Sequence, residues 1–121
     1  MKFDPEYTRS WYENLAEGEW DRWDKTPATK LHFAIFLHHL RAAVAEGDRV
    51  LDAGCGAGRY TQELIAMGAQ VTAFDLSPRQ LELCRERAPG AAAYELGSIT
   101  DLSRYDDGCF DVTLCIGGAI S

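Results

Sequence analysis

The chain has 121 residues and a formal net charge of −7, with 46% hydrophobic and 26% charged residues. That balance excludes a disordered tail or a low-complexity array, and the length allows one domain with a real core. Acids outnumber bases in both halves, so no basic patch tracks phosphates and nucleic acid is not an expected partner.

In chain order, the first expected element is a helix from Thr8 to Leu15, where Trp11 and Leu15 recur at helical spacing. The connector Glu19-Trp20-Asp21-Arg22-Trp23-Asp24 reads either as plain packing or as a lid over a ligand. A second helix starts where Thr26 caps and Pro27 occupies the first turn. Phe33, Leu37, Leu40 and Val44 give it an apolar stripe until Gly47 ends it. Residues 1–46 are thus expected to form a helical cap and 47–121 a second unit.

After Gly47-Asp48 the pattern changes to short apolar runs alternating with helical stretches. Strand 1 is expected at Arg49–Ala53, a helix at Arg59–Met67, strand 2 at Gln70–Phe74, and a helix from the Ser77-Pro78 cap to about Ala88. Strand 3 follows at Ala92–Glu95, a turn or short helix at Asp101–Tyr105, and strand 4 at Phe110–Ile116. Such alternation predicts an α/β fold, a Rossmann-like parallel sheet with right-handed crossovers and strand order 3-2-1-4. Its ligand crevice belongs at the carboxyl ends of the strands, where Asp52, Asp75 and Gly117 fall.

Strand 1 runs into Asp52-Ala53-Gly54-Cys55-Gly56-Ala57-Gly58-Arg59, spaced D-x-G-x-G-x-G. Glycines there let backbone lie against a ligand at a helix start. A dinucleotide fingerprint, G-x-G-x-x-G, would need a glycine where Arg59 stands, which leaves a nicotinamide oxidoreductase as an outside alternative. Asp75 closes strand 2, where a carboxylate suits the vicinal hydroxyls of a ribose; the bland reading is a solvated aspartate capping Ser77-Pro78. Two further landmarks are Gly97-Ser98-Ile99-Thr100-Asp101-Leu102 and Phe110-Asp111-Val112, the latter followed by an apolar run and a small-residue turn.

Together these segments resemble the four motifs of class I S-adenosylmethionine-dependent methyltransferases, in order and spacing, from about Arg49 to the last residue. The resemblance implies S-adenosylmethionine as cofactor and a small-molecule methyl acceptor. It places Asp52, Gly54, Cys55, Gly56, Gly58, Asp75, Leu76, Ser98, Ile99 and Cys115 in the cofactor site. Ser98 stands where the family often carries an acid that accepts from the adenine amino group, and a hydroxyl accepts more weakly. Asp101 reads as a helix cap. In the family, carbonyls at the end of strand 4, here Cys115 and Ile116, hold the methionine ammonium. Methyl transfer is an in-line displacement that needs alignment and exclusion of water, so no catalytic residue is assigned.

Cys55, inside the glycine loop, reads as a small residue that fits the turn rather than a nucleophile. Cys55, Cys84, Cys109 and Cys115 show no C-x-x-C spacing, which argues against zinc and redox pairs and suits a reducing cytoplasm. His32, His38 and His39 lack same-face pairing, so no metal site is expected. Tyr7, Trp11 and Tyr12 resemble aromatic residues that fold over the cofactor in related enzymes, or simply pack their helix. No apolar run reaches the roughly 18 residues that span a bilayer, and the N-terminus lacks a signal-peptide core.

The family fold continues beyond strand 4. Strand 4 is therefore expected to be a long apolar edge, covered by a second copy or by a C-terminal segment of a longer protein. The alternative function is a truncated cofactor-binding or dimerising module without turnover.

Overall fold

A computed structural model describes residues 26–115. The expected helix at Thr8–Leu15, the aromatic connector, Ile116 and Gly117 lie outside the described residues. Helix α1 spans Pro27–Ala43. Its start is a capping box: the Thr26 hydroxyl accepts from the Thr29 amide at 3.1 Å, the Thr29 hydroxyl accepts from the Thr26 amide at 3.1 Å, and Pro27 opens the helix. The helix ends at Ala43, earlier than the Gly47 stop suggested by sequence. Val44 turns extended (φ −107°, ψ 125°), and the Asp48 carboxylate then takes the Ala45 amide at 2.9 Å.

The βα units follow as β1 (Arg49–Ala53), α2 (Arg59–Ala66), β2 (Gln70–Asp75), α3 (Pro78–Arg87), β3 (Ala93–Leu96) and β4 (Val112–Cys115). The sheet is parallel in the expected order β3-β2-β1-β4. Strand β2 runs one residue further than expected and includes Asp75, because the Asp75 carbonyl still accepts from Gly97 at 2.9 Å. Strand β4 is shorter than expected at its start. The Asp111 backbone N–H donates to the Arg49 carbonyl at 2.7 Å and its carboxylate accepts from the Arg49 amide at 2.8 Å, while Phe110 turns into the core. No helix forms between Asp101 and Tyr105. The Asp101 side chain caps a turn instead, accepting from the Ser103 amide at 3.1 Å and the Ser103 hydroxyl at 2.7 Å.

Both faces of the sheet are covered. On one face Val50, Val71 and Leu114 pack with Leu40 and Val44 at the end of α1 and with Tyr60 and Leu64 of α2, while Ala73 meets Cys84 of α3 and Ala88 just past its end. On the other, Leu51, Ala53 and Phe74 lie under Ile99, Leu102, Tyr105 and Phe110. Apolar residues on both faces are what a buried parallel strand requires. Each fully buried Leu or Phe contributes roughly 1.5–3 kcal/mol. Among the described residues, β4 pairs only with β1 and β3 only with β2, and no helix is long and apolar enough to cross a membrane.

Candidate functional site

The turn from β1 into α2 is built by hydrogen bonds its own sequence dictates. The Gly54 and Cys55 amides both donate to the Phe74 carbonyl, at 2.7 and 3.0 Å, which folds the turn over the end of β2. Gly54 and Gly56 take positive φ values of 79° and 57°, a region that residues with a Cβ rarely adopt. Gly58 serves a different purpose. Its φ is +100°, and a Cβ there would stand 2.9 Å from Cys84 Sγ and 3.1 Å from Ala88 Cβ. The third glycine therefore lets α2 start against α3, so its spacing reflects helix packing as well as the turn.

Asp75, at the end of β2, is buried rather than solvated, with 7% of its surface exposed. Its Oδ2 accepts from the Gly56 amide and its Oδ1 from the Ser77 amide, both at 2.9 Å. One carboxylate thus clamps the glycine turn and the start of α3, where the Ser77 hydroxyl caps by accepting from Gln80 at 3.2 Å. Burial pushes the Asp75 carboxyl above the usual carboxylate range, against the pull of the Ser77, Gly56 and Leu76 amides. An ionised carboxylate offers about four lone-pair positions, so acceptor capacity remains for a ligand.

Asp52 sits one strand away, 3% exposed, with Leu114 of β4 and Ala73 of β2 as its cross-strand partners. Thr61 Oγ1 donates to its Oδ2 at 2.6 Å. Burial raises the Asp52 carboxyl to about 6, the Thr61 bond lowers it, and the nearby Asp75 charge raises it further. The strand ends therefore hold two buried carboxyls that favour a cationic guest. Thr61 was not among the residues expected from sequence, although its i, i+3 spacing to Leu64 places a hydroxyl on the buried face of α2.

The remaining expected positions are less committed. Ser98 Oγ is 2.7 Å from the Thr100 hydroxyl and accepts from the Thr100 amide at 3.2 Å, a local turn bond in a half-buried segment. Ile99 packs its side chain onto Leu51, Ala53 and Phe74, which leaves its backbone as the group available to a ligand. Leu76 is half-buried beside Asp75. Cys115 is exposed at the end of β4, opposite Ala53 in register, and its thiol is raised by burial and by Asp52. Cys55 is buried, and a hydrogen bond with Cys84 followed by desolvation pushes its thiol well above the ordinary value; that is the signature of an inert packing thiol. His32, His38 and His39 are exposed on α1.

The methyltransferase domain family matches residues 50–121 of this chain. The ubiquinone biosynthesis O-methyltransferase of Xanthomonas campestris pv. campestris (strain B100) is 36% identical over 108 residues, covering 84% of this chain and 44% of that protein. The enzyme of the same name from Xanthomonas oryzae pv. oryzae (strain PXO99A) is 37% identical over 73 residues, covering 58% and 30%. The chain thus spans less than half the length of these relatives. A methyltransferase structure from Thiobacillus denitrificans, in complex with S-adenosyl-L-homocysteine, aligns with TM-score 0.54 at 30% identity over 69% of this chain and 36% of that one. Its counterpart from Geobacter sulfurreducens, also in complex with S-adenosyl-L-homocysteine, gives TM-score 0.53 at 30% identity over 68% and 35%. With its family match, its 3-2-1-4 sheet and its glycine turn clamped by a strand-end carboxylate, the chain belongs to the methyltransferase domain family, of the class I S-adenosylmethionine-dependent kind.

Proposed function

We propose that this chain forms the cofactor-binding part of an S-adenosylmethionine-dependent methyltransferase that modifies a small-molecule acceptor, with a hydroxyl oxygen as the acceptor atom by analogy with the O-methyltransferase relatives. The observation that carries the reading is the pair of buried carboxyls, Asp52 and Asp75, at the ends of adjacent strands beside a glycine turn. Asp75 has acceptor capacity for ribose hydroxyls. Leu76, Ser98 and the Ile99 backbone lie on the strand ends nearest to it and suit the adenine. Gly54, Cys55, Gly56 and Gly58, whose amides are bonded within the chain, keep side-chain bulk away from the ligand beside them, the positive end of the α2 dipole favours the methionine carboxylate, and Asp52 with the Cys115 carbonyl favours the ammonium. When bound, the cofactor supplies an electrophilic methyl group. The chain's own contribution is to hold it in line and keep water away.

Residues 1–46 are read as a cap over this site and 47–121 as the cofactor-binding unit. A segment beyond β4, from a longer chain or from a second copy, would complete the sheet. The short coverage of the relatives keeps a second reading in view, a binding module without turnover.

Calorimetry on the folded chain tests the cofactor claim, with micromolar S-adenosylhomocysteine affinity expected and no heat at millimolar ligand sinking it. Asp75→Ala should weaken that affinity by about a hundredfold, since it removes a charged acceptor and releases the glycine turn. Methyl transfer by the 121-residue chain alone would exclude the module reading.

A further inference from the structure

The Asp52 carboxylate is held by a side chain of α2 that the cofactor reading leaves without a role. Thr61 lies in the first turn of α2 and is completely buried. A helical threonine ordinarily returns its hydroxyl to a carbonyl of the preceding turn. Here the proton goes to Asp52 Oδ2 at 2.6 Å, a length typical of a hydroxyl donating to an ionised oxygen. The other side of the same hydroxyl is occupied by Cys84, whose Sγ donates to Thr61 Oγ1 at 3.6 Å. A hydroxyl has one proton; with a thiol donating to its oxygen, that proton is directed at Asp52. The chain Cys84, Thr61, Asp52 ties α3 to α2 and α2 to the end of β1.

The surroundings work against an anion at Asp52. Asp75 faces it from β2, Cys55 from the glycine turn and Cys115 from β4. These groups are negative or neutral, and α2 contributes the hydroxyl that opposes them. Burial and Asp75 lift the carboxyl, and the Thr61 bond pulls it down.

We propose that Thr61 is a positioning residue, whose hydroxyl, oriented by Cys84, holds the Asp52 carboxylate in place as the counter-charge for the cationic methionine end of the cofactor. The proposal rests on the cofactor reading above. Without the hydroxyl, Asp52 keeps its proton to higher pH, and a cationic ligand must expel that proton to bind.

The test follows the Asp52 carboxyl carbon by NMR in the full chain, together with calorimetry of S-adenosylhomocysteine from pH 5 to 8, in wild type, Thr61→Val and Thr61→Ser. In wild type the carboxyl should titrate at about 6, and affinity should fall about tenfold per pH unit below that point. Thr61→Val keeps the volume and loses the donor. Both midpoints should then move up together by about one pH unit, while Thr61→Ser restores them. An unmoved Asp52 midpoint in Thr61→Val overturns the proposal, and so does a moved midpoint that leaves the pH profile of affinity unchanged. If Thr61→Val does not fold, the wild-type hydroxyl proton decides. A slowly exchanging downfield resonance that follows the Asp52 titration supports the bond, and its absence overturns it. Failure of folded wild type to bind at any pH sinks the cofactor reading, and with it the ligand role given to Asp52. The carboxyl titrations separately decide whether Thr61 holds Asp52.

Discussion

Two turns at the same end of the sheet are made in opposite ways. The turn after β1, from Gly54 to Gly58, is held from outside itself: by the Phe74 carbonyl, by the Asp75 carboxylate and by the packing of α3 against Gly58. The turn after β3 is held mainly by its own residues, with Ser98 bonded to Thr100, Asp101 bonded to Ser103, and Thr100 and Asp101 exposed. The first turn cannot change without moving two helices. The second is tied down by Gly97, which sits on the Phe74 ring with no room for a Cβ, since one would lie 2.7 Å from Cζ. Beyond that anchor Ile99 and Leu102 pack onto the sheet, and Ser98 and Thr100, bonded to each other, are the side chains left to suit a ligand. Substitutions at the glycines of the first turn should therefore act on folding, and substitutions at Ser98 or Thr100 of the second mainly on binding.

The largest expected effect is at Gly58. Alanine there meets Cys84 Sγ and Ala88 at closer than ordinary contact and must adopt a φ of +100°. Strain and overpacking together should cost about 2–4 kcal/mol of stability. Urea unfolding measures it; a loss below half a kilocalorie per mole would mean that α3 yields easily and that the two turns differ less than their packing implies.

The same contrast decides what the sequence made legible. Strand order, the α2 and α3 starts and the clustering of Asp52, Gly56 and Asp75 follow from residues whose backbone or burial leaves little choice: a D-x-G-x-G-x-G turn, a Ser-Pro cap, apolar runs between them. Element ends were less legible where a side chain replaces a backbone partner. Asp48 takes an amide beyond the end of α1, and Asp111 takes the amide that opens β1. Asp101 reads in the sequence as a helix cap because an Asx turn and a helix start share the same first bond. Thr61 stayed hidden because its role depends on which carboxylate lies across the helix–strand contact, and periodicity does not show that.

Asp52 comes next in size. Its folded value of about 6 lies above the ordinary aspartate value of 3.8, so between those values the native chain holds a proton that the unfolded chain has released. Stability of the ligand-free chain therefore falls as pH rises through that window and is flat above it. Asp75, also raised, adds slope of the same sign. Asp52→Asn removes the Asp52 part and should raise stability at pH 7.5 by on the order of 2 kcal/mol while leaving pH 4 nearly unchanged. S-adenosylhomocysteine affinity should fall at the same time. Chemical denaturation at the two pH values reads the first effect, and an undiminished slope in the variant would show that Asp52 is ionised without penalty.

The smallest effect belongs to the second turn. Ser98 is half-buried, and among the described residues its hydroxyl bonds within its own turn. A carboxylate at this position can keep the Thr100 amide, because aspartate accepts from a backbone N–H two residues on as readily as serine does. It also offers a charged acceptor to an amino group, where serine offers a neutral one. Ser98→Asp should therefore leave the unfolding free energy within about a few tenths of a kilocalorie per mole and tighten S-adenosylhomocysteine binding by about three- to tenfold. Repulsion from the buried carboxyls works against the gain, but the side chain can turn toward solvent, where water screens that repulsion. Unchanged affinity with unchanged stability would place the adenine elsewhere. A large loss of stability would mean instead that this turn is as rigidly specified as the one after β1.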